Sequence, residues 1–215
     1  MGNSSIQIFS QSRDYLNHFG NQHLKHPYGI LIHEDNIYVT DTEHYAIFLF
    51  KLPDLTMIKR VGKEGSGSEE FNHPRQPTIS PNKHLYVPDY NNNRLQILTT
   101  NLVFTDTLEL QTMTEPNDVK FTTNEIEKSR SLLTRRMQFG VAYFCLDGHN
   151  NIIISSHWTH NINVFSPEGD LLHKIGQRGQ KAGMFDHPTG ITIHDNTKLI
   201  CVSYNNNFGL QIFSA

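Results

Sequence analysis

The chain has 215 residues, 37% hydrophobic, 18% charged and 10% aromatic, with a formal net charge of −3. That length suits one large domain or two small ones, and the composition excludes collagen-like and low-complexity chains. No run of about 20 apolar residues is present to span a bilayer, and the slightly acidic balance speaks against a protein that grips nucleic-acid backbone, which is usually strongly basic. The first residues, Met1-Gly2-Asn3-Ser4-Ser5-Ile6, carry neither a basic stretch nor a long apolar core and do not read as a signal peptide. Ile6 also stands where a myristoylation motif wants Ser or Thr. Cys145 and Cys201 both lie in apolar runs and read as buried free thiols. A cytoplasmic location is expected, with no membrane partner.

Taken in chain order, short apolar runs alternate with turn residues. Residues 5–9 read as a third strand of an incomplete unit. His26-Pro27-Tyr28-Gly29-Ile30 then leads into runs at 37–41 and 47–50. His73-Pro74-Arg75-Gln76-Pro77 leads into runs at 85–89 and 95–98. Glu115-Pro116-Asn117-Asp118-Val119 opens a weaker copy, whose later runs are missing. Residues 140–144 lead to 152–154 and 162–165, and His187-Pro188-Thr189-Gly190-Ile191 leads to 199–202 and 210–213.

The spacings set the architecture. Pro27 to Pro74 is 47 residues, Pro74 to Pro116 is 42, and Gln138, which holds the proline slot of its copy, to Pro188 is 50. Repeats of about 40–50 residues with about four strands each predict propeller blades rather than a helical solenoid. The runs are rich in Ile, Val, Tyr and Phe and lack a 3.6-residue period. The expected fold is therefore all-β, a β-propeller of four-stranded antiparallel blades. One domain over 1–215 is expected, with repeats at about 3–20 (partial), 26–61, 73–110, 115–137 (truncated), 138–176 and 187–215 (partial). Pro116 to Gln138 is only 22 residues, which reads as a blade shorn of its middle strands. This stretch holds the chain's basic run, Lys128, Arg130, Arg135 and Arg136.

The string Leu85-Tyr86-Val87-Pro88-Asp89-Tyr90-Asn91-Asn92-Asn93-Arg94-Leu95-Gln96-Ile97 resembles the NHL repeat. The glycine-rich spacers 62–74 and 176–188 resemble the linkers between its blades. Where the NHL pattern has Asp, Asn and Arg, the first full repeat has Asp41, His44 and Ala46, and the second keeps all three as Asp89, Asn92 and Arg94. The fourth has Ser156, Thr159 and Asn161, and the last has Tyr204, Asn207 and Gly209. The resemblance implies a ring that is commonly six-bladed. Four to five recognisable blades leave closure of the ring open.

The motif residues have structural work first. Pro fixes φ as the innermost strand begins, and the following Gly permits close packing near the axis. Asp41 and Asp89 are expected to accept backbone N–H bonds across their turns, and Asp89 to pair with Arg94. In an up-and-down blade, alternate loops share a face, so the His-Pro loops and the Asp-x-x-Asn loops form one rim. Residues that differ from copy to copy on that rim are the expected contact surface: Tyr28, Tyr45, Arg75, Asn93, Asn117, His160, Thr189 and Phe208. This mixture of aromatics, Arg and amides suits an interaction core.

Thirteen histidines raise a zinc reading. His26, His73 and His187 are motif positions, however, and His157-Trp158-Thr159-His160 has no Cys or carboxylate close by in sequence, so no metal site is expected. Nucleophile-elbow, phosphate-loop and dinucleotide motifs are all absent, so neither catalytic residues nor a cofactor are assigned. The expected function is a non-catalytic scaffold that binds a protein through one rim. The resemblance implies the substrate-recruiting part of a tripartite-motif ubiquitin ligase, although two cysteines cannot build a zinc-binding RING. The alternatives are single-stranded RNA binding on the same rim, using Tyr28, Tyr45, Arg75 and Arg94, and a metal-dependent propeller lyase or hydrolase.

Overall fold

A strand that is apolar on both faces must be covered on both sides. Along residues 36–41, Ile37 and Val39 face one way and Tyr38 the other, and all three are buried. The computed structural model describes residues 4–109, 141–147, 149–157, 159–194, 197, 199–204 and 209–214. It meets that demand by standing sheets face to face as a propeller.

A hairpin comes first, β1 (Ile6–Phe9) with β2 (Tyr15–Phe19). The first full sheet is β3 (Pro27–His33), β4 (Asn36–Asp41), β5 (Ala46–Lys51) and β6 (Thr56–Val61). A spacer follows with a short parallel pair, β7 (Lys63–Glu64) and β8 (Glu70–Phe71). The second sheet is β9 (Thr78–Ile79), β10 (His84–Asp89), β11 (Arg94–Thr99) and β12 (Phe104–Glu109). The third is β13 (Val141–Leu146), β14 (Ile152–Ser156), β15 (Asn161–Phe165) and β16 (Leu171–Ile175). The fourth has three strands, β17 (Pro188–His194), β18 (Leu199–Tyr204) and β19 (Gly209–Ser214). Neighbours in sequence are neighbours in every sheet, as an up-and-down blade requires. The expected fold class is the one observed. Among the described residues no helix is long and apolar enough to cross a membrane.

The core is a series of seams between sheets. Phe19 and Leu24 pack with Ile37, Val39, Phe48 and Phe50 on one face of the first sheet. On its other face, Tyr38, Ile47 and Leu49 meet Leu85, Val87 and Leu98 of the second. Tyr38 is wholly buried, and its hydroxyl donates to the Thr100 carbonyl at 2.8 Å, tying the two sheets together. Leu95 of the second sheet packs with Phe144, Ile152, Ile154 and Phe165 of the third. These two sheets are direct neighbours; the shortened repeat 115–137 lies outside the described residues. Ile153 and Ile162 of the third then meet Ile200 and Val202 of the fourth.

Equivalent positions in different repeats have equivalent surroundings. The Gly29 N–H donates to Thr40 Oγ1 at 3.0 Å, and the Gly190 N–H donates to Ser203 Oγ at 3.0 Å. A Cβ on either glycine would come 2.8 Å from that same hydroxyl, which is why glycine follows Pro-x in both copies. Phe71 and Phe185, the aromatics of the two spacers, are both fully buried and each plugs a seam. Their carbonyls accept from Gly65 N–H at 3.2 Å and Gly179 N–H at 3.1 Å respectively.

Cys145 and Cys201 are free thiols of intermediate burial. Desolvation, with Asp147 adding to it, pushes the Cys145 thiol up to about 12. At pH 8 roughly one in ten thousand of such thiols is ionised, and the thiolate is the reactive form. Cys145 is therefore expected to resist alkylation in the folded chain and to react at the rate of a simple thiol once denatured, as read by peptide mass spectrometry.

Candidate functional site

The staples come first, because they hold the rim. Both carboxylate oxygens of Asp41 are used: Oδ2 accepts from the N–H groups of Lys25 (2.6 Å) and His26 (2.9 Å), and Oδ1 from those of Glu43 (3.2 Å) and His44 (3.0 Å). One buried side chain thus fixes its own turn and the segment leading into β3. Asp89 does the same with a partner. It faces Arg94 directly across the β10–β11 ladder. Its Oδ2 accepts from Arg94 Nε and from Asn92 Nδ2, both at 2.8 Å, and its Oδ1 accepts from the Asn72 N–H at 2.6 Å. Arg94 reaches on to the carbonyls of Ser66 (2.7 Å), Gly67 (2.7 Å) and Glu70 (2.9 Å), so the spacer is pinned to the second sheet.

Of the expected rim residues, the structure brings Tyr28 and Arg75 together. The Arg75 guanidinium lies over the Tyr28 ring at 4.1 Å and over the Tyr90 ring at 4.5 Å. Tyr28 is on β3, Arg75 on the segment leading into β9, and Tyr90 opens the 3₁₀ turn Tyr90–Asn92, so a strand of one sheet and two connecting segments of the next converge. The Arg75 N–H donates to the Pro88 carbonyl at 2.9 Å, which sets its position. Arg75 Nε is buried and finds no hydrogen-bond partner among the described residues. Next to it, Gln76 exchanges two bonds with the Ile30 backbone, accepting from its N–H (3.2 Å) and donating to its carbonyl (2.6 Å). Tyr90 and Gln76 escaped the sequence reading, because they act across a seam and no spacing within a repeat marks them.

The other expected residues stand apart from this stack. Tyr45, at a φ of +52°, packs against the first seam and meets the His73 ring edge-on at 5.7 Å. Asn93 closes its turn in the left-handed conformation, with its N–H on the Tyr90 carbonyl. The Thr189 hydroxyl turns toward Ser203 of its own sheet, 3.3 Å away. Asn117 and Phe208 lie outside the described residues.

His160 has neighbours that its sequence surroundings do not show. The expectation that no carboxylate stands near it is corrected by geometry: Asp186 Oδ1 is 3.4 Å from His160 Nδ1 and 2.8 Å from His187 Nδ1. The His157 ring lies 4.7 Å from that of His187, and the His160 ring 4.5 Å. Burial, and then the neighbouring His187, hold His157 and His160 below the usual histidine range. Both imidazoles are thereby biased toward the neutral form.

Four-stranded sheets packed face to face, with one end of each reserved for turns that meet its neighbour, define a propeller. A family model described as a 6-bladed beta-propeller matches residues 21–129, and the chain belongs to that family. No curated protein matches the sequence. Among solved structures the chain is similar to virginiamycin B lyase from Staphylococcus aureus, a catalytically inactive H270A form with quinupristin, at a TM-score of 0.62 and 13% identity, covering 99% of this chain and 64% of that one. It is also similar to a protein of unknown function from Bacteroides caccae, at a TM-score of 0.61 and 11% identity, covering 99% and 69%. Kuenenia stuttgartiensis hydrazine synthase gives a TM-score of 0.60 and 12% identity over 93% of this chain and 49% of that one. The chain thus spans less than two thirds of the lyase, and identities this low carry the fold alone.

Proposed function

We propose that this chain is a non-catalytic binding module that recognises a protein through the rim carrying Tyr28, Arg75 and Tyr90. The observation that carries the reading is the cation held over two tyrosine rings. Arg and Tyr dominate the binding energy of protein interfaces, and a cation–aromatic contact orders both side chains before a partner arrives. Preformed contact groups reduce the entropy lost on association. The surrounding frame is stiff for the same reason, since Asp41, Asp89, Arg94 and Gln76 tie its loops to the sheets. Tyr45, Asn93, His160 and Thr189, with Asn117 and Phe208, are the proposed remainder of the surface. The NHL resemblance supports recruitment of a substrate to a ubiquitin ligase as the role, with the catalytic parts supplied by other chains or segments. RNA recognition is less well supported, because Arg75 already occupies one face of each tyrosine that a base would need.

The test is quantitative capture. Wild type, Arg75→Ala, Tyr28→Ala and an opposite-rim control, Lys83→Ala, are used as baits, each checked for an unchanged melting curve. A specific partner should be recovered equally by wild type and Lys83→Ala, and should fall about tenfold or more with Arg75→Ala, the scale of an interface hot spot. Equal recovery by all four baits would remove this rim from recognition.

A further inference from the structure

Two seams of this propeller allow an internal comparison. Between the first and second sheets, the spacer ends in Asn72 and His73, and the facing turn ends in Tyr45, immediately before β5. His73 Nδ1 pairs with Asn72 Oδ1 at 2.8 Å, while Tyr45 meets the His73 ring edge-on. Between the third and fourth sheets the same backbone positions are Asp186, His187 and His160. The φ angle is +57° at both His73 and His187, and it is +52° at Tyr45 and +57° at His160. His157 takes the place of Thr42, one residue past the end of the second strand. The fold therefore builds this seam from an amide, a phenol and a hydroxyl in one copy, and requires neither a carboxylate nor extra imidazoles. The other copy has all of these together.

We infer that His160, Asp186 and His187 form a binding site for a divalent transition-metal ion, zinc in particular, which clasps the third sheet to the fourth. One ligand atom from each residue lies within 4.8 Å of the others. Zinc bonds of about 2.0–2.2 Å place neighbouring ligand atoms roughly 3–3.5 Å apart, and Asp186 Oδ1 already stands 3.4 Å and 2.8 Å from the two Nδ1 atoms. Two imidazoles and a carboxylate are borderline ligands that suit zinc and its transition-metal neighbours, whereas magnesium and calcium prefer all-oxygen sites. Three protein ligands leave a fourth position, and His157 is the nearest further imidazole. His160 Nδ1 accepts the His187 N–H, so that nitrogen carries the lone pair a metal needs. Coordination through His187 Nδ1 uses the imidazole tautomer that carries its proton on Nε2, and coordination through His160 Nδ1 replaces the 3.1 Å bond from His187 N–H. Arg178, 3.7 Å from Asp186 Oδ1, competes for the carboxylate, but its side chain is 70% exposed and free to withdraw.

The experiment titrates the full chain with Zn²⁺ by calorimetry and with Co²⁺ by visible absorption. Saturable binding of one ion per chain is expected, together with a melting temperature that rises with zinc, since an ion that binds the folded state stabilises it. Asp186→Asn and His160→Tyr install the residues that the first seam already houses, so their metal-free melting curves serve as the folding check. Each should weaken zinc by more than the roughly 10–100-fold that loss of an outer-shell partner costs. Arg178→Ala, at an exposed position, should tighten zinc several-fold by removing the competing cation. The proposal is overturned by an absence of saturable binding, by unaltered affinity in both ligand variants, or by weaker zinc in Arg178→Ala. None of these readouts depends on the rim partner.

Discussion

Arg94→Ala should destabilise the chain by about 3–5 kcal/mol, the usual result of removing one member of a buried ion pair. Its side chain is 8% exposed and that of Asp89 is fully buried, so little water reaches the pair. Without the guanidinium, Asp89 keeps the Asn72 N–H and the amide of Asn92 but loses its only cationic partner among the described residues. The carbonyls of Ser66 and Gly67 lose the Arg94 donors in the same stroke, and the Glu70 carbonyl is left with the Gln96 amide alone. Urea unfolding would show the effect as a lower midpoint. Asp89→Ala should cost a similar amount, and the double variant should cost less than the two together, because each single change strands the other partner. A loss below about 1 kcal/mol for Arg94→Ala would mean that the pair behaves as a solvent-exposed one.

The second large effect belongs to the spacer aromatics. Phe71→Ala and Phe185→Ala should each cost about 3–5 kcal/mol, because each empties a fully buried site at a seam. Phe71 packs with Tyr38, Leu85 and Leu102, and Phe185 with Ile153, Ile200 and Val202. Similar losses are expected because the two spacers repeat the same backbone pattern, including the parallel pairings Glu64–Phe71 and Arg178–Phe185. A large loss at one and none at the other, read by the same unfolding measurement, would show that the two seams are not equivalent.

The features legible in the sequence share a physical property: their partners lie within one hairpin or one repeat. Asp89 and Arg94 are five residues apart and directly paired across β10 and β11, so a motif spacing reveals them. Gly29 and Gly190 follow Pro-x in each copy, and a hydroxyl on the neighbouring strand of the same sheet approaches each, although at Gly29 the Gln76 Cα across the seam would come closer still, at 2.5 Å. The second and third strands of each full sheet are readable from apolar runs and turn residues, whereas the half-exposed outer strands β6, β12 and β16 carry no such run. Contacts across a seam are not readable. Gln76 reaches back 46 positions to Ile30, and Arg75 needs the Tyr90 turn to be brought beside β3. Asp186 lies 26 residues beyond His160, so a search for ligands near His157 and His160 in sequence misses it. Repeat periodicity gives the content of a blade; side-chain reach between blades depends on how the next sheet is set against it. Of the expected rim residues, Tyr28 and Arg75 meet across a seam, whereas the Thr189 hydroxyl turns toward Ser203 of its own sheet.

Recognition through this rim is tested most directly by amide hydrogen exchange on the chain alone and with its captured partner bound. Added protection should fall on residues 26–30, 74–76 and 89–93, while the turns at the far ends of the sheets, 34–36, 80–84 and 166–170, exchange as before. Protection at those far turns, with 26–30, 74–76 and 89–93 unchanged, would contradict it.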